Sequence, residues 1–431
     1  MKKLLLALAL VMAVSSMGLA AVENIKISGD ITSSAVTRDL SLGDESSAID
    51  SQDFLLTQVR VRLDADLTEN VAAVVQLINE RYWCTETSAS TDIDLDLAYV
   101  VLSEMLYDPL TVTVGRQNIK FGRGLIVGDR DTDNAVASGV GLDTVANDLS
   151  LRKAFDAVRA TLNYDKLVID LVYSKVSEGT LNIEDDVTLY GFNAGYDISD
   201  ETMAEVYLLA KDKDAATAGY DNDRVATVGG RIETSMVDNL DLYAEYAYQF
   251  GGEYSAGVTK LSRDAYAVQV GAVYNFQDER KSKVGVEYTY LSGDDDSTDS
   301  DQQAWDPMFE DQRVGEIANL LFDNTNLQYV KLSASSNLRE DIRAAIDAYY
   351  LRLAEKSSDA ISNNTVIDDF SYSLNSDEKD LGWEIDTSLV YDYTEDVQLG
   401  LVAGWYIPGD YFTDSNDETA YSVRGSVKVA F

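Results

Sequence analysis

The sequence predicts an all-β fold: a transmembrane antiparallel β-barrel of about 18 strands, with short periplasmic turns and long extracellular loops. Three observations predict it. Apolar and polar residues alternate with a period of two. Tight turns alternate with long polar connections. No apolar run after residue 21 approaches the ~20 residues that a spanning helix needs.

The alternation is clearest in the middle of the chain. From Tyr266 to Phe276, the residues Tyr266, Val268, Val270, Ala272, Tyr274 and Phe276 share one face, while Gln269, Gly271 and Asn275 share the other. Strands between lipid and water need one apolar and one polar face. Eighteen such segments are expected, at 24–38, 53–67, 70–83, 92–103, 109–118, 152–164, 166–176, 186–199, 202–212, 223–237, 239–251, 262–277, 281–292, 325–338, 340–354, 378–394, 396–408 and 417–431. Connections after the even segments are tight, as at Asp165, Asp200-Glu201 and Asp238. Those after the odd segments are mostly long and polar, above all 119–151 and 293–324. A sheet in lipid cannot leave an open edge, so the segments must close on themselves.

Residues 1–20 read as a signal peptide and 21–431 as the barrel. Lys2 and Lys3 precede an apolar stretch from Leu4 to Val14, and Gly18-Leu19-Ala20 forms a small-residue cleavage site. The prolines, Pro109, Pro307 and Pro408, fall at strand ends or in loops, where the missing N–H is tolerated. Tyr82, Tyr164, Tyr196, Tyr290, Tyr350 and Tyr391 lie near segment ends and are expected to form interfacial girdles. The last segment alternates from Tyr421 to a terminal Phe431, which resembles an outer-membrane assembly signal.

Composition narrows the chemistry. The chain has no histidine and a single cysteine, Cys84. The commonest general base and transition-metal ligand are therefore missing, and an internal disulfide is impossible. Asp129, Asp131 and Asp133 have D-x-D-x-D spacing, but a calcium loop also needs glycine at its sixth position and glutamate at its twelfth, where Asn134 and Val140 stand. Asp294 to Asp296 is a plain acidic loop. No catalytic residue, metal or cofactor is expected. A formal net charge of -41 repels nucleic acid at long range and attracts cations, including divalent ions that bridge lipopolysaccharide.

Strand parity nominates pore-lining groups. Arg60, Arg62 and Asp64 oppose Val59, Val61 and Leu63. Asp94 and Asp96 oppose Ile93, Leu95 and Leu97. Glu384 and Asp386 oppose Trp383, Ile385 and Leu389. Arg159, Arg231 and Lys283 join the same set. Arg60 and Arg62 form either a local basic ladder or ion pairs along the wall. Lys120, Arg123 and Arg130, in the 119–151 loop, are the candidates for a constriction. Parity is least secure near Arg116, where a bulge would flip the face.

Three stretches carry a family resemblance: LTVTVGRQNIKFGRGLIVGDRD (110–131) followed by RKAFDAVRATL (152–162), AWDPMFEDQRVGEIANLLF (304–322), and LGWEIDTSLVYDYTEDVQLGLVAGWYIPGDYF (381–412). They resemble the alginate-export family of outer-membrane porins, whose fold is an 18-stranded barrel. In an alginate exporter the resemblance would imply a strongly cationic pore for an anionic polymer. Here the inward acids are at least as numerous as the bases, which favours a porin-like channel in the outer membrane, passing small solutes or ions and preferring cations. The alternatives are an exporter of a polysaccharide such as an alginate-like polymer, or a structural barrel plugged by its own loops. Expected partners are outer-membrane lipid and lipopolysaccharide, the barrel assembly machinery, and the solutes or ions themselves.

Overall fold

A computed structural model describes residues 24–43, 51–84, 93–130, 147–178, 186–214, 223–253, 261–296, 299–356, 372 and 374–431. The expected leader at 1–20, Asp131 and Asp133 lie outside them.

Eighteen long strands form one closed antiparallel sheet: β1 (Asn24–Asp39), β2 (Gln52–Thr68), β3 (Val71–Tyr82), β4 (Asp94–Leu102), β5 (Leu110–Gln117), β6 (Phe155–Tyr164), β7 (Leu167–Ser177), β8 (Val187–Ser199), β9 (Thr202–Lys213), β10 (Asp223–Val237), β11 (Leu240–Glu253), β12 (Leu261–Asn275), β13 (Lys283–Leu291), β14 (Leu327–Arg339), β15 (Ile342–Leu353), β16 (Asp380–Asp392), β17 (Val397–Pro408) and β18 (Ala420–Ala430). Each pairs with its sequence neighbour, and β18 pairs back onto β1 from Ala430 beside Asp30 to Tyr421 beside Asp39. A two-residue strand, Asp301–Gln302, adds a parallel rung beside β12. Every expected segment coincides with a strand to within three residues at each end.

The turns explain the tight reversals. Asp165 and Asn239 adopt φ values of +58° and +64°, a region that these short polar residues enter more readily than most. The outer face is apolar, with Ile27, Leu171, Val206 and Leu332 exposed on it. Aromatic pairs ring both of its ends. At the loop end, Tyr350 and Trp383 have ring centroids 4.7 Å apart, and Tyr266 and Tyr290 5.4 Å. At the turn end, Tyr274 and Phe276 lie 5.0 Å apart. Interfacial girdles have this form because the rings sit in lipid and the hydroxyls in water.

Two expectations need correction. Leu97 is not on the lipid face. The register slips between Gln76 and Leu77, where Gln76 opposes Leu97 and Leu77 opposes Leu95. Asp96 is the extra residue of a bulge, so Leu95 is 49% exposed while Leu97 is 3% exposed. Tyr82 is not a girdle residue either. It faces inward, packs edge-on against Phe54 with centroids 5.4 Å apart, and is buried with Leu56.

Candidate functional site

The lumen is narrowed by two connections that turn inward. One links β5 to β6 and is described at 118–130 and 147–154. The other links β13 to β14, described except at 297–298, and carries a single-turn helix, α1 (Ala318–Leu321). Both sequences put apolar residues where an external loop would be polar. Ile119, Phe121, Leu125, Ile126 and Val127 of the first, and Trp305, Met308, Phe309, Ile317, Leu320 and Leu321 of the second, are buried in one cluster. Ala247, Ala265 and Ala267 belong to the same cluster, and their small side chains leave room inside the wall. At ~25 cal/mol per Å2, burying this much apolar surface is what holds the loops in the lumen.

The loops also hydrogen-bond to each other. Phe309 N–H donates to Ile126 O at 3.0 Å, Gly128 N–H to Phe309 O at 2.7 Å, and Asp311 N–H to Gly124 O at 2.8 Å. The β5–β6 loop reverses through Gly122 and Gly124, with φ of +53° and +81°. Glycine is needed twice over at 122, since a Cβ there would lie 2.9 Å from the Arg231 Nε.

Ion pairs fasten this assembly. Lys120 Nζ lies 2.6 Å from the Asp311 carboxylate, and Lys153 bridges Asp311 and Asp129, the latter at 3.3 Å. Burial pushes the Asp311 carboxyl pKa up, but Lys120 and Lys153 outweigh it and hold it below the ordinary carboxylate value. Burial likewise pulls the Lys153 ammonium down, and Asp129 and Asp311 outweigh it and raise it. Asp306 meets Lys211 at 2.6 Å, and Gln249 brackets its backbone with bonds of 2.6 and 2.8 Å. Burial raises Asp306, yet Lys211 and Arg263 leave it lower than usual.

On the opposite wall, Glu384 takes three loop N–H groups, from Glu316, Ile317 and Ala318, each at 2.7 Å. Gly315 is required beside it: φ is +75°, and a Cβ would lie 2.5 Å from the Glu384 carboxyl. Asp386 accepts the Glu316 N–H at 3.2 Å. Close by, Arg313 binds Glu316 at 2.8 Å, Arg424 approaches Glu316 at 3.6 Å, and Arg38 reaches Asp148 at 3.2 Å. Arg313 lines two cavities. One of about 230 Å3 is bordered by Asp148, Lys153, Asp311 and Arg424, and one of about 270 Å3 by Glu316, Lys331, Asp347 and Asp386.

The nominated residues separate into groups. Arg60 forms a bidentate pair with Asp30, and Arg62 pairs with Asp64 and reaches the Tyr99 hydroxyl at 3.5 Å. Of the two readings for these arginines, the structure shows ion pairs and no free ladder. Asp94 binds Arg152 at 2.7 Å, and Asp96 accepts from Gln76 at 2.6 Å. Arg159 holds Asp170 at 2.7 Å. Arg231 bridges Glu205 at 2.8 Å and Glu233 at 2.5 Å. Arg123 comes down beside it, 3.8 Å over the Tyr243 ring and within 3.7 to 3.8 Å of Glu233 and Glu287. Below Arg123 a vestibule of about 780 Å3 opens towards the turns, with Lys283 on its border. Arg130 is half-buried at the end of the described segment. Glu384 points inward but is 0% exposed beneath the loop, so it anchors the constriction and meets no open water.

Arg38, Asp148, Lys153, Asp311, Arg313 and Glu316 went unnominated. Lys153, Asp311, Arg313 and Glu316 lie within the stretches that carry the family resemblance, which was the available signal.

The profile of the alginate export family matches residues 36–426. The chain belongs to the alginate-export family. This member is an outer-membrane β-barrel of 18 strands. Solved porin structures share its fold. Pseudomonas aeruginosa OccK11 (OpdR) aligns with a TM-score of 0.57 at 10% identity, over 96% of this chain and 97% of that one. A BenF-like porin from Pseudomonas fluorescens Pf-5 aligns with a TM-score of 0.58 at 8% identity, over 95% and 100%. Pseudomonas aeruginosa OccK2 (OpdF), solved in complex with glucuronate, aligns with a TM-score of 0.56 at 8% identity, over 96% and 100%. No curated protein matches this family member.

Proposed function

We propose that the protein is a passive channel for small solutes and ions, cation-preferring, whose narrowest passage runs past Arg313. The observation that carries this is the pair of cavities on either side of that guanidinium, about 230 and 270 Å3. Each is too small for a folded macromolecule and large enough for hydrated ions. Cation preference follows from the excess of acid. Across the chain 75 Asp and Glu face 34 Lys and Arg. Asp386, which borders one of these cavities, has no cationic side chain within salt-bridge distance among the described residues. Arg60, Arg62, Asp64, Asp94, Arg159, Arg231, Lys283 and Asp386 act in this reading as the wall that shapes the field. The reading assigns no catalytic group. Lipopolysaccharide around the barrel and the barrel assembly machinery are its expected partners, and residues 1–20 its secretion leader.

A second reading, export of an anionic polysaccharide, draws on the family description and on the three guanidiniums of Arg38, Arg313 and Arg424 around Asp148 and Glu316. Reversal potential in a planar bilayer under a KCl gradient separates the two. A cation-selective potential supports the first. An anion-selective one rejects it in favour of the second. Absence of any conductance rejects both and leaves a plugged barrel.

A further inference from the structure

The outer face is not uniformly apolar. A groove of about 860 Å3 crosses β18, β1, β2 and the end of β3, lined by Val423, Gly425, Ala35, Leu55, Trp83 and Asp53. Its floor is shallow because small residues lie opposite each other. Ala35 pairs with Gly425, and a Cβ built on Gly425 would meet nothing within 4 Å. Glycine inside a strand often marks a place where a ligand comes close.

The groove runs obliquely across the membrane face. Gly425 is level in register with Leu401, in the middle of the apolar face of β17. Trp83 lies beyond the last residue of β3. One end is therefore in the lipid belt and the other at the outer rim. The rim end is polar, unlike the surrounding surface. The Trp83 indole N–H donates to the Thr57 hydroxyl at 2.8 Å, and Thr57 bonds Ser33 at 3.0 Å. Thr57 opposes Arg81, two residues before Trp83, which puts Arg81 on the same outward face. Among the described residues Arg81 has no hydrogen-bond or ion-pair partner. The arginines of the neighbouring strand, Arg60 and Arg62, pair with acids, which leaves the Arg81 guanidinium open to a ligand.

We propose that this groove holds one phosphorylated, acylated glycolipid of the outer leaflet. An acyl chain lies over Ala35 and Gly425, and a headgroup phosphate meets Arg81. Guanidinium recognises phosphate by paired hydrogen bonds. Asp53, at the other edge of the rim, repels phosphate and so fixes which side the headgroup occupies. Trp83 stands between tail and headgroup, where an indole with an apolar body and one donor belongs.

The test is native mass spectrometry of the purified barrel in mild detergent with added bisphosphorylated hexa-acyl lipid A. The wild type should carry one lipid. Arg81→Glu should lower occupancy roughly tenfold, the loss of one charge-assisted hydrogen-bonded pair. Gly425→Leu, which fills the floor, should lower it as well, and Asp53→Asn should not. Heat-modifiable gel mobility shows that each variant is folded. Equal occupancy in wild type and Arg81→Glu, or equal binding of dephosphorylated lipid A, overturns the proposal. A second copy of the chain is the rival occupant, and the lone exposed Cys84 on the groove reports on it. Copper-phenanthroline oxidation of outer-membrane vesicles that yields a disulfide-linked dimer also overturns the proposal. A product that stays monomeric supports it.

Discussion

The carboxylate of Glu384, on β16, accepts the backbone N–H of Ala318 at 2.7 Å and so moors the β13–β14 loop to the wall two strands from its own root. Two more N–H groups share the same carboxylate. Replacing Glu384 with alanine leaves the Ile317 and Ala318 N–H groups without a partner, at a cost of about 1–3 kcal/mol each, while the Glu316 N–H keeps Asp386. Glu384→Ala should therefore raise single-channel conductance and its flicker, with the barrel still folded. Glu384→Gln keeps an acceptor and should lie between. Identical conductance and noise in wild type and Glu384→Ala would show that the loop is held by its apolar contacts alone.

Lys153 and Asp311 fix the pH range of the constriction. The Asp311 carboxyl is depressed, so its contribution is present above the ordinary value of 3.8 and is lost as pH falls through the lower folded value. The Lys153 ammonium is raised, so its contribution is present below 10.5 and is lost as pH rises through the higher folded value. The Lys153–Asp311 pair should therefore hold across the neutral range, so the conductance difference between wild type and Lys153→Met should be constant there and shrink beyond those limits. A difference that varies across the neutral range would contradict the assignment.

Arg313 should act on both size and sign. Arg313→Ala removes bulk and one positive charge between the two cavities, so conductance and cation preference should rise together. The electrostatic part should fade as the Debye length drops from ~10 Å at 0.1 M salt to ~3 Å at 1 M. Bilayer reversal potentials at both salts measure it. A rise in conductance with no change in selectivity at low salt would place the selecting charges elsewhere.

The seam between β18 and β1 depends on Gly29. Its N–H donates to Phe431 O at 2.9 Å, and the reverse bond is 3.0 Å. A Cβ at Gly29 would lie 2.7 Å from the Phe431 ring and 2.5 Å from Arg60 O. Gly29→Val should reduce the folded fraction in outer membranes, read by heat-modifiable mobility, and deletion of Phe431 should reduce it while secretion continues. Normal insertion of the Phe431 deletion would remove the terminal residue from any assembly role.

The strands were legible because alternation is a local signal. Segment 223–237 coincides with β10 at both ends. Alternation misleads where a bulge breaks it, and a strand-end tyrosine joins a girdle only when its parity points outward. The bulge at Asp96 turned Leu97 inward, and Tyr82, on the inward parity of β3, joined Phe54 inside. The constriction was far less legible, since its contacts join distant parts of the chain. Lys153 and Asp311 are 158 residues apart, and Ala318 and Glu384 are 66. Parity gave the direction of Glu384, but only the loop above it determines that it is covered.

The pairing of Val127 with Phe309 has a consequence for the order of events during biogenesis. The two residues hang from opposite halves of the wall, one between β5 and β6 and the other between β13 and β14. Neither apolar segment has its partner until both halves have been threaded, and once β18 has zipped to β1 neither can easily come in from outside. Closing the last seam and narrowing the bore are therefore linked through this one pairing.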